Sequence, residues 1–78
     1  MDLRKLQYFS RVAESESFRE AAERANVAQS ALSRHVGALE NELGVSLFER
    51  HARGVCLTPE GVRLKERADR ILREVEEN

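Results

Sequence analysis

The sequence predicts a mainly α-helical fold of four helices, with one two-stranded hairpin between the third helix and the fourth. Apolar residues recur at helical spacing in four segments, which is the primary signal for amphipathic helices. Two short apolar segments flank a glycine-containing turn near residue 54, a pattern that indicates a hairpin. The 78 residues suffice for one small domain.

Periodicity and a capping pattern predict the first two helices. Residues 2–14 carry one apolar stripe, which consists of Leu3, Leu6, Phe9, Val12 and Ala13. Ser17, with Glu20 three residues later, forms a capping box that begins the second helix over about 18–25. The alanines of this helix allow a neighbouring helix to approach closely. Asn26 tolerates left-handed backbone angles and therefore ends the helix in a turn.

The third helix is predicted over about 29–43 and has two distinct faces. Its apolar stripe consists of Leu32, Val36, Leu39 and Leu43. A rotation of about 100° per residue brings a polar set together on another side: Gln29, Ser30, Ser33, Arg34 and Gly37. Gly44 followed by Val45 is the expected helix stop. One face is thus available to the core and another to a partner.

The hairpin and the last helix follow this stop. Apolar segments at 45–50 and 55–57 enclose the turn at 51–54. Thr58 is expected as N-cap and Pro59 as the first helical residue of a helix that extends to about 76. Its apolar residues form a seam that favours pairing with a second copy over packing within one chain: Leu64, Ala68, Ile71, Leu72 and Val75.

Two short helices joined by a tight turn, the second beginning with polar residues, are typical of a helix-turn-helix. In such a unit the second helix enters the major groove of DNA. Arg34 can form paired hydrogen bonds with guanine or bind a phosphate, and Gln29 can contact adenine or a phosphate. Ser30 and Ser33 reach base edges or backbone oxygens. The alternative is a solvated helix surface on which the serines only cap.

Four further residues are candidates for contacts with the DNA backbone or the minor groove. Arg53, beside a glycine at the hairpin tip, suits a narrow minor groove, where the potential is most negative. Arg50 and His51 suit phosphates, and the helix start at Ser17 suits a phosphate as well as a cap. Plain solvation of these charged side chains is the alternative.

Composition narrows the class of protein without indicating nucleic acid. The net charge is −1, so positive charge is local rather than general. No apolar run approaches the roughly 20 residues of a membrane span, and the start of the chain lacks a signal-peptide core. One cysteine fits a reducing cytoplasm. His35 and His51 lack ligand partners at metal-site spacing, so neither metal nor cofactor is expected. The absence of paired catalytic groups makes an enzyme the poorest interpretation.

The whole chain resembles the N-terminal domain of LysR-type transcriptional regulators. The resemblance lies in segments that keep the family's order and spacing: Leu6-Gln7-Tyr8-Phe9, Ser17-Phe18 with Ala21-Ala22, Gln29-Ser30-Ala31-Leu32-Ser33-Arg34, Leu39-Glu40, Glu42-Leu43-Gly44-Val45, Leu47-Phe48-Glu49-Arg50, Arg53-Gly54-Val55 and Leu57-Thr58-Pro59-Glu60-Gly61. It implies a winged helix-turn-helix over 1–58, with the hairpin as the wing, and a linker helix over 59–78 that joins two subunits. It also implies a C-terminal effector-binding domain outside this chain.

Three positions depart from the family's pattern. Ala28 replaces the serine or threonine that commonly caps the third helix, a loss of roughly 1 kcal/mol. Gly37 supplies no side chain where a polar or basic one is frequent, so base contacts are expected to end at Arg34 and His35. His35 itself occupies a position that is often glutamine, which leaves the base preference there open.

We therefore expect a bacterial, cytoplasmic and nucleoid-associated regulator whose dimer reads an inverted-repeat operator, with a tetramer allowed in the full-length protein. A small-molecule effector would act only through the C-terminal domain. Two alternatives remain open from the sequence. One is a different winged-helix family with a long closing helix, such as molybdate-sensing regulators. The other is a protein-interaction module that the last helix dimerises, for which the near-neutral charge is the best argument.

Overall fold

Four helices and one antiparallel hairpin make up residues 2–77, the part of the chain that this computed structural model describes. The elements, in chain order, are α1 (Leu3–Ser15), α2 (Phe18–Ala25), α3 (Gln29–Leu43), β1 (Phe48–His51), β2 (Gly54–Leu57) and α4 (Pro59–Glu77). The predicted fold class is confirmed, and the bounds of α3 are those predicted. Met1 and Asn78, the outer ends of the two predicted domains, lie outside the described residues.

Short polar side chains cap the first two helices, and the cap of the second helix is the one that the sequence predicts. Asp2 accepts a hydrogen bond of 2.9 Å from the Lys5 amide, so α1 begins one residue later than predicted. Ser17 Oγ accepts from the Glu20 amide at 3.2 Å, which is one half of the expected capping box. The Glu20 carboxylate meanwhile accepts from Arg24, one turn further along α2.

The turns on either side of α3 also have the expected backbone. Asn26 ends α2 in the left-handed region, with φ 57° and ψ 46°. Ala28 is the N-cap of α3 and makes no side-chain capping bond. At the other end of α3, Gly44 is left-handed with φ 69°, and its amide donates to the Glu40 carbonyl at 2.8 Å.

The hairpin is confirmed, but its first strand begins three residues later than the apolar pattern predicts, and its second strand begins one residue earlier. β1 pairs with β2 so that Phe48 lies opposite Leu57 and His51 lies opposite Gly54. The preceding residues, 45–47, are the exit from α3 rather than strand. They are held there because the Leu47 amide donates to the Glu40 carboxylate at 2.7 Å.

α1 lies at the centre of the domain and contacts α2, α3, α4 and β2. The largest fully buried side chains are Phe9, Val12, Leu32, Val36, Leu39 and Leu47. Phe48 from the hairpin joins this core, with ring centroids 5.4 Å from Phe9 and 5.7 Å from Phe18. These contacts fix the hairpin against α1 and α2, since buried aromatic side chains contribute large apolar areas.

α4 starts at a cap whose hydroxyl makes two hydrogen bonds, and the helix then packs along α1. Thr58 Oγ1 accepts from the Gly61 amide at 3.0 Å and donates to the Ser46 carbonyl at 2.7 Å, which confirms the predicted N-cap. Two turns on, Lys65 Nζ lies 2.6 Å from the Asp69 carboxylate and 3.3 Å from that of Glu14 on α1.

The apolar seam predicted for α4 divides between two surfaces. Ala68 is 0% exposed and belongs to the core of its own chain, so its assignment to a dimer interface is wrong. Leu64 is half-buried and packs against the same core. Ile71 and Val75 are 41% and 48% exposed. The stripe is wide enough to serve both surfaces, because α1 covers only one edge of it.

Candidate nucleic-acid interface

The polar face of α3 is exposed, as its periodicity predicts. Gln29, Ser30 and Arg34 are exposed, and Ser33 is half-buried between them and the core side of the helix. Leu32, Val36 and Leu39 on the opposite side are buried. α3 is therefore anchored by one face and presents hydrogen-bonding side chains on the other.

His35, like Ser33, is half-buried, and it differs from the other residues predicted to read DNA by contacting α1 at the edge of this face. Its ring contacts the ring of Tyr8 on α1, with centroids 5.1 Å apart and planes tilted by 53°. At about 100° per residue, His35 lies a quarter-turn from Arg34, on the side of α3 that meets α1. Its side chain is therefore restrained from one side, whereas that of Arg34 is not.

A cationic cleft lies where the start of α2, the start of α3 and the hairpin meet. It is open to solvent and has a volume of about 340 Å³. Its polar and charged lining residues are Ser17, Arg19, Gln29, Arg50, His51 and Arg53. None of the lining residues within 2–77 carries a carboxylate. This cationic cleft thus combines hydrogen-bond donors with positive charge, the chemistry that phosphate groups require.

One cation–π contact and one main-chain hydrogen bond position the arginines of the hairpin. The guanidinium carbon of Arg50 lies 4.5 Å from the centroid of the buried Phe18 ring, a cation–π contact that holds Arg50 over the start of α2. The Val55 amide donates to the Glu16 carbonyl at 3.1 Å, which fixes the hairpin against the turn between α1 and α2. Arg53 stays exposed at the tip, and His51 is exposed beside it.

Sequence reasoning missed two residues of this surface. Arg19 is exposed and lines the cationic cleft, and its place on the solvent side of the first turn of α2 could have revealed it. Phe18 lies in the core, and its ring also supports Arg50. A contact between residues 32 positions apart leaves no signal in helical periodicity.

The carboxylates in the later turns of α3 are occupied elsewhere. Glu40 accepts from the Leu47 amide, and Glu42 pairs with Lys5 of α1. The hydrogen bond with Lys5 holds the pKa of Glu42 below its ordinary value, and the same bond raises the pKa of Lys5. Glu40 therefore belongs to the exit from α3 and Glu42 to the α1–α3 contact, and neither lies at the exposed start of α3.

The described residues offer little for other classes of site. Residues 2–77 contain no group of three or more His, Cys, Asp or Glu side chains that could hold a metal ion. Cys56, on β2, is half-buried with a free thiol. Among the described helices, none combines the length and the apolar character that crossing a membrane requires.

The chain belongs to the LysR family of bacterial regulatory helix-turn-helix proteins, whose family model matches residues 3–62. This match excludes the alternative of another winged-helix family. The HTH-type transcriptional regulator CzcR of Bacillus subtilis is 46% identical over 77 residues, which is 99% of this chain and 27% of CzcR. BenM of Acinetobacter baylyi is 44% identical over 77 residues, 25% of its length. The chain thus spans about a quarter of the length of these relatives.

Solved structures of relatives have the same fold. The DNA-binding domain of BenM, in complex with catB site 1 DNA, matches with a TM-score of 0.95 at 44% identity, over 99% of this chain and 86% of that one. Full-length CbnR in complex with its target DNA matches with a TM-score of 0.93 at 43% identity, over 99% of this chain and 27% of that one. The winged helix-turn-helix with a long closing helix is therefore confirmed.

Proposed function

We propose that this domain binds double-stranded DNA in a sequence-specific manner, as the DNA-reading part of a LysR-type transcriptional regulator. The observation that carries the proposal is the position of the exposed polar face of α3 beside the cationic cleft. A helix in the major groove needs both a face that reads bases and neighbouring donors that hold phosphates. The BenM and CbnR domains that resemble this chain were solved with DNA. The proposal assigns the domain binding rather than catalysis.

In this proposal the start of α3 enters the major groove. The freely exposed Arg34 forms a bidentate contact with guanine, and Gln29 contacts adenine or the phosphate nearest the cationic cleft. Ser30 and Ser33 supply shorter contacts to base edges or to the backbone. His35 contacts the base pair at the α1 edge of the helix, and Gly37 contributes no side chain.

The hairpin acts as the wing in this proposal. Arg53 reaches the adjacent minor groove from the tip, where a positive side chain meets the most negative potential. Arg50, His51 and Arg19 surround a phosphate in the cationic cleft, at the exposed start of α2 where Ser17 lies. Phosphate contacts of this kind position the protein without reading sequence.

We further propose that two copies pair through α4 and read an inverted repeat. The residues of the predicted apolar seam that remain accessible are Leu64, Ile71, Leu72 and Val75. Leu72 and Val75 line a groove of about 250 Å³ between the end of α4 and α1, which enlarges the surface that a second copy can cover. Ala68 is excluded from this surface because it is already buried.

The wider setting is part of the same proposal. We propose a winged domain over 1–58 and a linker helix over 59–78, joined in a longer regulator to a C-terminal effector-binding domain that binds a small molecule and supports tetramers. Relatives about four times as long as this chain support it. The bacterial origin of these regulators supports action in the cytoplasm, at the nucleoid.

Selection from a randomised duplex library at near-physiological salt, followed by sequencing, tests the proposal. Enrichment of an interrupted inverted repeat is the expected result, whereas a single enriched half-site would leave the reading helix and remove the dimer. Affinity for the enriched duplex should fall steeply with added salt. No enrichment, together with affinity that is independent of salt, would favour the protein-interaction module instead.

Arg34→Ala tests the reading face directly. The variant should lose about 1–3 kcal/mol of binding free energy and relax the preference at one base pair per half-site. Arg70→Ala, which removes an exposed arginine of α4, is the matched control and should bind as the unmodified chain does. Equal losses for both variants would contradict the assignment of Arg34.

A further inference from the structure

Tyr8 and His35 form a contact through which α1 reaches the edge of the DNA-reading helix. Their ring centroids are 5.1 Å apart, and the two residues are 27 positions apart in the chain. Both side chains are half-buried, so the contact lies at the rim of the core and not inside it. Phe9, the neighbour of Tyr8, is fully buried and already anchors α1 to the core. Tyr8 itself packs against the edge of this core, and its ring also contacts His35.

We propose that Tyr8 is a positioning residue for base recognition: its ring fixes the orientation of the His35 imidazole and thereby narrows the base accepted opposite His35. This inference rests on the proposed DNA-binding function and names a residue on α1, outside the reading helix, that sets its specificity.

The chemistry of the two rings supports this role. An unrestrained histidine on a helix surface turns about two side-chain torsions and can present either ring nitrogen in several directions. A base edge distinguishes donors from acceptors at fixed places, so a mobile imidazole accepts more than one base. The tilted Tyr8 ring occupies one side of His35 and removes part of this freedom before DNA binds, which is preorganisation of the contact.

A second contact on the same side of α1 keeps the two helices in register. Lys5, three residues before Tyr8, pairs with Glu42, seven residues after His35. Lys5 and Tyr8 thus lie on one face of α1, and His35 and Glu42 lie on one face of α3, since three and seven residues are close to whole turns. The buried Phe9 and Leu32 hold α1 and α3 together, and the ion pair and the ring contact lie along the same edge of that packing.

The test compares base preference among four variants, each checked for folding by thermal unfolding. Tyr8→Phe keeps the ring, Tyr8→Leu removes it while retaining apolar bulk, and His35→Ala removes the reader. The fourth variant combines Tyr8→Leu with His35→Ala. Each is measured on the duplex that the unmodified chain selects and on duplexes changed at single base pairs. Tyr8→Met replaces Tyr8→Leu if the latter fails to fold.

The inference predicts one pattern across these variants. His35→Ala and Tyr8→Leu should relax the preference at the same base pair, by about three- to tenfold, and leave the base pair read by Arg34 unchanged. Tyr8→Phe should keep the preference of the unmodified chain. The double variant should be no less selective than His35→Ala, because the two residues act through one contact.

Other results overturn the inference. A purely structural Tyr8 would make Tyr8→Leu weaken binding equally on every duplex, with base preference intact. An unchanged base preference in His35→Ala would show that His35 does not read a base. If the unmodified chain selects no duplex, the proposed function fails and the positioning role fails with it. If the unmodified chain is selective and Tyr8→Leu has the same base preference, only the positioning role fails.

Discussion

The main-chain amide of Val55 donates a 3.1 Å hydrogen bond to the carbonyl oxygen of Glu16, and this bond joins the wing to the turn between α1 and α2. Glu16 is left-handed there, with φ 56°, which turns its carbonyl toward β2. The neighbouring Gly54, with φ 145°, lies so close to Glu16 that a Cβ would overlap the same carbonyl oxygen. The position of the wing therefore depends on a glycine.

Gly54→Ala should destabilise the domain, because the substitution adds both backbone strain and an overlap with main-chain atoms. We expect the free energy of unfolding to fall by about 2 kcal/mol or more, as measured by chemical denaturation. Affinity for the selected duplex should fall further than stability alone explains, since Arg53 follows the wing.

Gly37→Ala is the matched control for this glycine. A Cβ at Gly37 meets no atom within 4 Å, and the residue lies in the interior of α3. Alanine should therefore stabilise the domain by about 0.5–1 kcal/mol through helix propensity. If Gly37→Ala lowered the free energy of unfolding, or if Gly54→Ala did not, the space around the two glycines would differ from that in the structure.

Ala28→Ser should stabilise α3 at its first turn. Ala28 is already in the extended conformation of an N-cap, with φ −66° and ψ 140°, but offers no capping oxygen. Serine supplies that oxygen to an amide of the first turn, a gain of about 0.5–1 kcal/mol that appears as a higher Tm. Ala52→Ser, in the exposed loop of the wing, makes the same chemical change away from a helix start and should leave Tm unchanged.

The Lys5–Glu42 pair should make stability depend on pH at both extremes. Because the pKa of Glu42 is lowered in the folded chain, the pair stabilises fully above the ordinary carboxyl pKa of about 4.3 and loses this effect as pH falls through the lowered pKa. The pKa of Lys5 is raised, so the contribution is complete below the ordinary lysine pKa of about 10.4 and disappears as pH rises through the raised one.

Glu42→Gln tests this dependence through Tm measured from pH 3 to pH 7. The variant should be less stable than the unmodified chain at neutral pH, and the difference should shrink as Glu42 becomes protonated. Glu66→Gln, at an exposed position on α4, is the control and should show no such convergence. A difference in Tm that is constant across this range would contradict the ion-pair assignment.

Ala68 and Ile71 should respond differently to substitution, although both belong to the apolar seam of α4. Ala68→Leu overfills a fully buried site and should lower the unfolding free energy by about 1–3 kcal/mol at every protein concentration. Ile71→Asp should leave the fold of one chain nearly unchanged and weaken the proposed dimer, which sedimentation at several concentrations would detect. Equal behaviour of the two variants would be inconsistent with the division of the seam.

The helices were predictable because their signals are local. Ser17, Asn26, Gly44 and Thr58 each mark a helix boundary through their own side chain or backbone preference, and each does so in the structure. The polar face of α3 was likewise predictable from rotation per residue alone. Assignment of Arg34 and the other exposed side chains to DNA contacts stays a prediction.

Contacts between distant segments were not predictable in the same way. Ala68 and Ile71 lie on one stripe, and only the crossing of α1 over α4 decides which of them is buried. The rings of Tyr8 and His35, and the pair of Phe18 with Arg50, meet because three helices and a hairpin pack in one arrangement. Periodicity describes each helix separately and contains no information about such crossings.

α4 is an arm that is held at its base by the cap at Thr58 and along its first half by packing of Ala68 in the core. Nineteen residues at 1.5 Å each give the arm a length of about 28 Å. Its base is held by the bonds of Thr58 to Ser46 and Leu47. A tilt of about 10° at that base displaces the far end by about 5 Å, more than one base-pair step of about 3.4 Å. Wherever two such arms are joined at their far ends, a tilt of this size changes the spacing of the two reading helices along the DNA by more than one base pair.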